Sequence, residues 1–312
     1  MPDVDGVPRP TASERAAGTV VIDAHTHIFP DEVVRDRTPF LRADAWFGEL
    51  YASEKAAVIG ADELLRAMDA AGIAGAVACG WPWRDAGLCR LHNDALAGAA
   101  ATAGGRLAWL AIVSPADPAA AAREAERAFG MGAAGIGELN ADAQGFALDD
   151  PRVLAPLVDV CLAHDRPALF HASEPVGHAY PGKGTAVPAK LVRMLAAHPG
   201  WRVTLAHWGG GLPFHELMPE IAEVAARVVY DSAASTYLFR PQVFRAVLDI
   251  VGPERVLWGS DHPVLGMGRF LRRTLADGNL RPEEVAPVLG GNAARWYGFV
   301  PPAGVRQGQG RG

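Results

Sequence analysis

Apolar runs of four to eight residues recur along the chain, separated by longer stretches with helical spacing. The runs fall at 19–22, 74–80, 106–113, 133–139, 167–171, 202–207, 227–232 and 255–259. They are nearly unbroken by polar residues, which predicts strands buried on both faces, as in a parallel sheet. Between them, segments 61–72, 88–103, 117–129, 150–164, 188–197, 214–226, 241–251 and 268–276 predict helices, with one or two more inside 282–296. Asp62 and Glu63 lie in a first turn, Gly72 is placed to end that helix, and Asp117-Pro118 reads as an N-cap followed by a proline at the first helical position. Eight strands, each followed by a helix, is the plan of a (β/α)8 barrel. The expectation is one α/β domain over 19–299 with an extra C-terminal helix. A doubly wound open sheet alternates in the same way, but no glycine-rich phosphate loop follows the first run.

Two features depart from the alternation. The connection 29–60 is about thirty residues long and carries Arg35, Arg37, Arg42, Trp46, Phe47 and Tyr51. Connections of that length are usually functional or disordered, and the aromatics predict a folded lid. Residues 1–18 and 300–312 read as flexible tails, and the first has no apolar segment of signal-peptide type.

Composition narrows the function. Half of the 312 residues are apolar and 21% are charged, as in a globular protein. A net charge of -6 disfavours nucleic acid or an anionic membrane as partner. No apolar run approaches a membrane span. Cys79, Cys89 and Cys161 share no close pair motif, which fits reduced packing residues in a cytoplasmic protein. The expected partner is a small molecule, and a homo-oligomer stays open.

The candidate chemistry sits at the strand tips. Asp23-Ala24-His25-Thr26-His27 closes the first run. Side chains alternate in a strand, so His25 and His27 share a face and can chelate one ion. Two surface histidines in a loop are the alternative. Glu138 ends the fourth run, His171 the fifth, His207 the sixth, and Asp261 follows the eighth. In a barrel these tips meet at the C-terminal face, where active sites lie. Each has a structural alternative: a sheet cap for the histidines, an arginine partner for Glu138, an N-cap for Asp261. All six together point to one pocket. Asp23 shares the strand face with the histidines and reads as a buried partner for a ligand or as a structural acid. His164 and His198 end helices, where the macrodipole favours a cation. His92 and His215 read as surface or helix-packing residues. His178 and His262 follow strands five and eight and stay open as substrate contacts. Trp81, Trp83 and Arg84 follow strand two and can line the pocket. Loop 174–183 is glycine-rich and can close over a substrate or be an ordinary surface loop.

The His-x-His pair 25/27, His171, His207, Trp258-Gly259-Ser260-Asp261-His262-Pro263 and Gly291-Asn292-Ala293-Ala294-Arg295 carry a resemblance. Over residues 19–299 the chain resembles the amidohydrolase-related (amidohydrolase 2) group of the amidohydrolase superfamily. These are metal-dependent TIM-barrel enzymes that include aminocarboxymuconate-semialdehyde-decarboxylase-like enzymes and related lactone hydrolases. The resemblance implies His25, His27, His171 and Asp261 as ligands of a divalent metal, with zinc expected, as one or two ions. It implies His207 as a second-metal ligand or a catalytic group, and Glu138 as a bridge where two metals are held. Asp261 would pass the proton of the attacking water to the leaving group. The activity read from this is a hydrolase acting on an ester, lactone or amide; the positions of Trp81, Arg84 and His178 after their strands make them the expected substrate contacts. The alternative is a non-oxidative decarboxylase of an aromatic or enol acid.

Overall fold

Eight strands form one sheet in sequential order: β1 Ile22–His27, β2 Gly75–Cys79, β3 Leu107–Ala111, β4 Gly135–Leu139, β5 Ala168–Phe170, β6 Val203–Leu205, β7 Val228–Asp231 and β8 Val256–Leu257. This computed structural model describes residues 18–302, so most of both expected tails lies outside the described residues. Every neighbouring pair is parallel. The backbone around β8 returns to β1: Ala24 N donates to the Trp258 carbonyl at 2.9 Å, Asp261 N to the His25 carbonyl at 2.9 Å and His27 N to the His262 carbonyl at 2.7 Å. These bonds close the sheet into a barrel, because no edge is left unpaired between the first strand and the last.

The alternate faces of the strands separate two apolar layers. Ile22, Val77, Leu110, Leu169, Val229 and Leu257 pack in one cluster with Ala293 and Tyr297 of the C-terminal helix Asn292–Tyr297. Residues one step along, such as Ala76, Trp109, Ile136, Phe170, Val203 and Val256, pack instead against the surrounding helices. The barrel is therefore filled by side chains and covered by helices, as the near-continuous apolar strands require. The covering helices are α1 Ala61–Ala71, α2 Ala86–Thr102, α3 Pro118–Gly130, α4 Pro151–Ala163, α5 Pro188–Ala197, α6 Pro219–Val224, α7 Val243–Val251 and α8 Met267–Asp277. Asp117 caps α3 by accepting from Ala120 N, and Gly72 ends α1 with φ +69°. The helix expected over 214–226 is broken. Leu212–His215 stops and α6 starts afresh at Pro219, which has no N–H to continue the earlier helix. Among the described residues no helix is long and apolar enough to cross a membrane.

The β1–α1 connection is folded. Three short helices, Asp31–Arg35, Thr38–Ala43 and Ala45–Tyr51, pack Phe47 and Tyr51 against Phe29, Trp81 and Trp83. Arg37 Nη1 ties the segment together by donating to the Tyr51, Ser53 and Ala56 carbonyls at 3.2, 3.3 and 2.8 Å. The segment stands as a fixed wall beside the strand tips.

Candidate active site

The six strand-tip residues converge. His25 and His27 end β1, Glu138 lies in β4, and His171, His207 and Asp261 follow β5, β6 and β8. Pairing of β1 with β2 shifts register between Asp23 and Thr26, so simple alternation does not hold along β1. His25 and His27 still meet, with their Nε2 atoms 3.0 Å apart. Two local backbone features aim the others. Gly137 has φ +126°, a conformation closed to residues with a Cβ, immediately before Glu138. His207 and Asp261 have left-handed φ values of 56° and 65°, which turn both side chains off the run of the preceding strand. Gly259 lets strand one approach: a Cβ there would meet the His25 Cβ at 2.8 Å.

The donors form two groups, His25/His27/Asp261 and Glu138/His171/His207, each with its ligating atoms within 4.8 Å of one another. Glu138 touches both. Its Oε2 lies 3.6 Å from Nε2 of His25 and of His27. Its Oε1 lies 3.0 Å from His171 Nδ1 and 3.4 Å from His207 Nε2. Asp261 Oδ1 is 3.3 Å from His27 Nε2 and 3.7 Å from His25 Nε2.

The other nitrogen of each ring is also engaged. His27 Nδ1 meets the Gly80 carbonyl at 3.2 Å and His207 Nδ1 the Ala233 carbonyl at 3.1 Å. A carbonyl only accepts, so both rings carry a proton on Nδ1, and Nε2 is the nitrogen each turns to the site, where it could ligate an ion. His25 Nδ1 meets Asp231 Oδ2 at 2.9 Å, and His171 Nε2 meets Ser173 Oγ at 3.3 Å. The donor set thus fits a divalent metal ion. Facing lone pairs 3.0 Å apart on His25 and His27 repel unless a cation or a proton joins them.

The electrostatics agree. Burial opposes charge on His25, yet Asp231 and Glu138 outweigh it and hold that ring well above its ordinary pKa. Burial likewise opposes charge on His207, and Glu138, Asp261 and Asp231 push it up to about 9. Burial lifts the Glu138 carboxyl, but His25, His171 and His207 hold it well below the usual carboxylate range. Asp261 is held down in the same way, with burial outweighed by His27, His25 and His207. A field that gathers protons onto these rings also favours a divalent cation.

The site opens into a cavity of about 350 Å³. His27, Glu138, His171, His207 and Asp261 form its floor, while Trp46, Leu50 and Tyr51 come from the β1–α1 segment. Trp81 lines it; His178 lines it from an exposed position in loop 174–183, with Tyr180. That loop is braced, since Glu174 accepts from Tyr180 Oη at 3.0 Å and pairs with Lys183 Nζ at 3.1 Å.

Other expected residues lie elsewhere. Arg84 is exposed and absent from the cavity wall, because the chain turns outward after Trp83 to enter α2. Trp83 is buried against His92, which accepts its indole N–H at 2.9 Å. His92 is a core residue whose burial depresses its pKa to about 4. His262 does not line the cavity; its Nδ1 bonds the Leu265 carbonyl at 3.2 Å. Asp23 holds strands rather than a ligand ring, since its Oδ1 accepts from His25 N at 3.2 Å and Ser260 N at 2.9 Å. Asp231 is the residue that strand-tip reading passed over. It ends β7, so the signal that marked the other tips was present there too.

This chain belongs to the amidohydrolase family, which it matches over residues 22–299. The family consists of metal-dependent enzymes, and the resemblance read from the motifs agrees with it. A curated relative, the L-fucono-1,5-lactonase of Burkholderia ambifaria, is 29% identical over 185 residues, which are 52% of this chain and 60% of that protein. The matched region thus covers less than two thirds of the relative. Among solved structures, 5-carboxyvanillate decarboxylase from Sphingomonas paucimobilis is 21% identical with TM-score 0.75, covering 91% of this chain and 100% of that one. The Novosphingobium aromaticivorans 5-carboxyvanillate decarboxylase, complexed with manganese and 4-hydroxy-3-methoxy-5-nitrobenzoic acid, is 20% identical with TM-score 0.74, covering 93% and 98%. A Rhizobium 2,6-dihydroxybenzoate decarboxylase is 21% identical with TM-score 0.67, covering 90% and 98%. At these identities the likeness establishes the fold.

Proposed function

We propose that the protein is a metal-dependent hydrolase that adds water to the carbonyl of a small ester, lactone or amide. The observation that carries this reading is Glu138, one buried carboxylate with an oxygen toward each pair of histidines. His25, His27 and Asp261 would hold one ion, His171 and His207 a second, with Glu138 shared. The nitrogen-rich donor set suits zinc, and manganese accompanies a structural neighbour, so the ion is a matter for metal analysis. Divalent ions held there supply Lewis acidity toward a carbonyl oxygen and lower the pKa of water.

The chain's own groups do the rest. Asp261 faces the cavity as a carboxylate, takes the proton of the attacking water and returns it to the leaving atom. With an ion bound, His207 would keep its Nδ1–H donating to the Ala233 carbonyl and offer its Nε2 lone pair to the site. That arrangement supports a ligand role for His207 over a role as oxyanion donor. Trp46, Tyr51, Trp81, Tyr180 and Tyr237 supply aromatic wall, and no Lys or Arg lines the cavity among the described residues. A neutral substrate with a flat or apolar face matches that wall, with Trp81 and His178 as contacts.

A second reading, decarboxylation of an aromatic or enol acid, is favoured by the aromatic wall and by the activities named for the structural neighbours. Product analysis separates the two. Turnover of neutral lactones or esters, with one oxygen taken from labelled water and loss on chelation, supports the hydrolase. Release of carbon dioxide from phenolic acids, with esters and lactones inert, overturns it.

A further inference from the structure

Asp231 is fully buried and touches both halves of the donor cluster. Its Oδ2 meets His25 Nδ1 at 2.9 Å. Its Oδ1 accepts two backbone N–H groups, from His207 at 3.1 Å and from Ala233 at 3.0 Å. Ala233 in turn offers its carbonyl to His207 Nδ1 at 3.1 Å. One carboxylate therefore orients the His25 ring and anchors the backbone that holds His207 in its left-handed conformation, φ 56°.

We propose that Asp231 is the positioning residue of the metal centre: it locks His25 in the form protonated at Nδ1, presents Nε2 as a ligand, and joins the two donor groups through one buried side chain. With Oδ1 taken up by two backbone N–H groups, Oδ2 accepts from the ring, so the proton sits on Nδ1. The two backbone N–H groups give the lock its direction. In an Asp231→Asn variant the amide oxygen must stay toward those donors, because an NH2 facing them would leave buried donors opposed. The amide nitrogen then faces His25 Nδ1 and donates to it. The ring proton moves to Nε2, and His25 can no longer ligate from the side that faces Asp261 and His27. His171 and His207 keep their own contacts with Glu138.

The inference rests on the metal centre proposed above and not on which reaction that centre runs. The test is zinc binding to the full-length protein, by chelator competition, together with nitrogen-15 NMR of the histidine rings in the zinc-loaded form. The wild-type protein should show His25 protonated at Nδ1. In Asp231→Asn, zinc affinity should fall roughly ten- to hundredfold, the range for residues that orient metal ligands. Asp231→Glu should restore part of it. Wild-type affinity in the asparagine variant, or a proton-free His25 Nδ1 in the zinc-loaded wild type, overturns the assignment. The NMR arm needs no variant and decides the matter even where Asp231→Asn fails to fold. Absence of zinc binding by the wild type overturns the metal centre along with it.

Discussion

Replacing Glu138 with glutamine keeps the length of the side chain and removes its charge. The carboxylate faces ring nitrogens of His171 at 3.0 Å, His207 at 3.4 Å, and His25 and His27 at 3.6 Å. An ion held by either group has this carboxylate as a neighbour. Unit charges about 4 Å apart attract by about 4 kcal/mol at an effective dielectric near 20. That corresponds to about a thousandfold in affinity. An amide also presents only one oxygen, so its NH2 would face one of the histidine pairs and repel an ion there. The expected outcome is an ion content near two in the wild type and near one in Glu138→Gln. The assay is elemental analysis after dialysis, with affinities from a chromophoric chelator. Wild-type ion content and chelator resistance in the variant refute the sharing role. One ion in both forms refutes the two-ion centre and moves weight to the decarboxylase reading.

Asp261→Asn should lower kcat by about 10²–10⁴, the usual contribution of a general acid–base group, with the fold retained in thermal melts; near-wild-type turnover with metal intact would remove the proton-transfer role. Acidification should release metal and abolish activity in one pH window, because protons compete for the nitrogens of His25, His27 and His171; full activity in a metal-free sample contradicts the mechanism. Asp23 gives a stability signature. Burial lifts its carboxyl from 3.8 to about 7, against the hydrogen bonds from Ser260 and His25. A native pKa above the unfolded one is stabilising below about pH 4, and that contribution is lost as pH rises through 7. The shift is worth about 4 kcal/mol over the window. Urea melts of Asp23→Asn against the wild type should diverge between pH 4 and 7, and parallel curves would dismiss the effect.

Much of the architecture was legible because its causes are local. An apolar run between turn residues reads as a buried parallel strand whatever lies across from it. Caps such as Asp117 and Gly72 act within one turn of their own helix. The helix that broke at Pro219 did so for a reason also written in the chain, though the apolar spacing across 214–226 masked it. The strand tips at His25, His27, Glu138, His171, His207 and Asp261 could be named because a closed barrel gathers such tips at one end.

What the sequence by itself determined is the order of elements and the set of polar groups available at their ends. Orientation and distance came only with tertiary structure. Arg84 follows Trp81 by three positions and could as well have faced the substrate, but the chain turns it to solvent. Asp23 shares its strand with the histidines, but its carboxylate accepts from the His25 and Ser260 backbone instead. Glu138 reaches both histidine pairs, and Asp231 supports both His25 and His207, only because β4, β6 and β7 are brought round to face β1. Residues more than a hundred positions apart meet through barrel closure and side-chain rotation. Neither leaves a periodic trace along the chain, since a strand tip carries the same local pattern whichever way its side chain finally points.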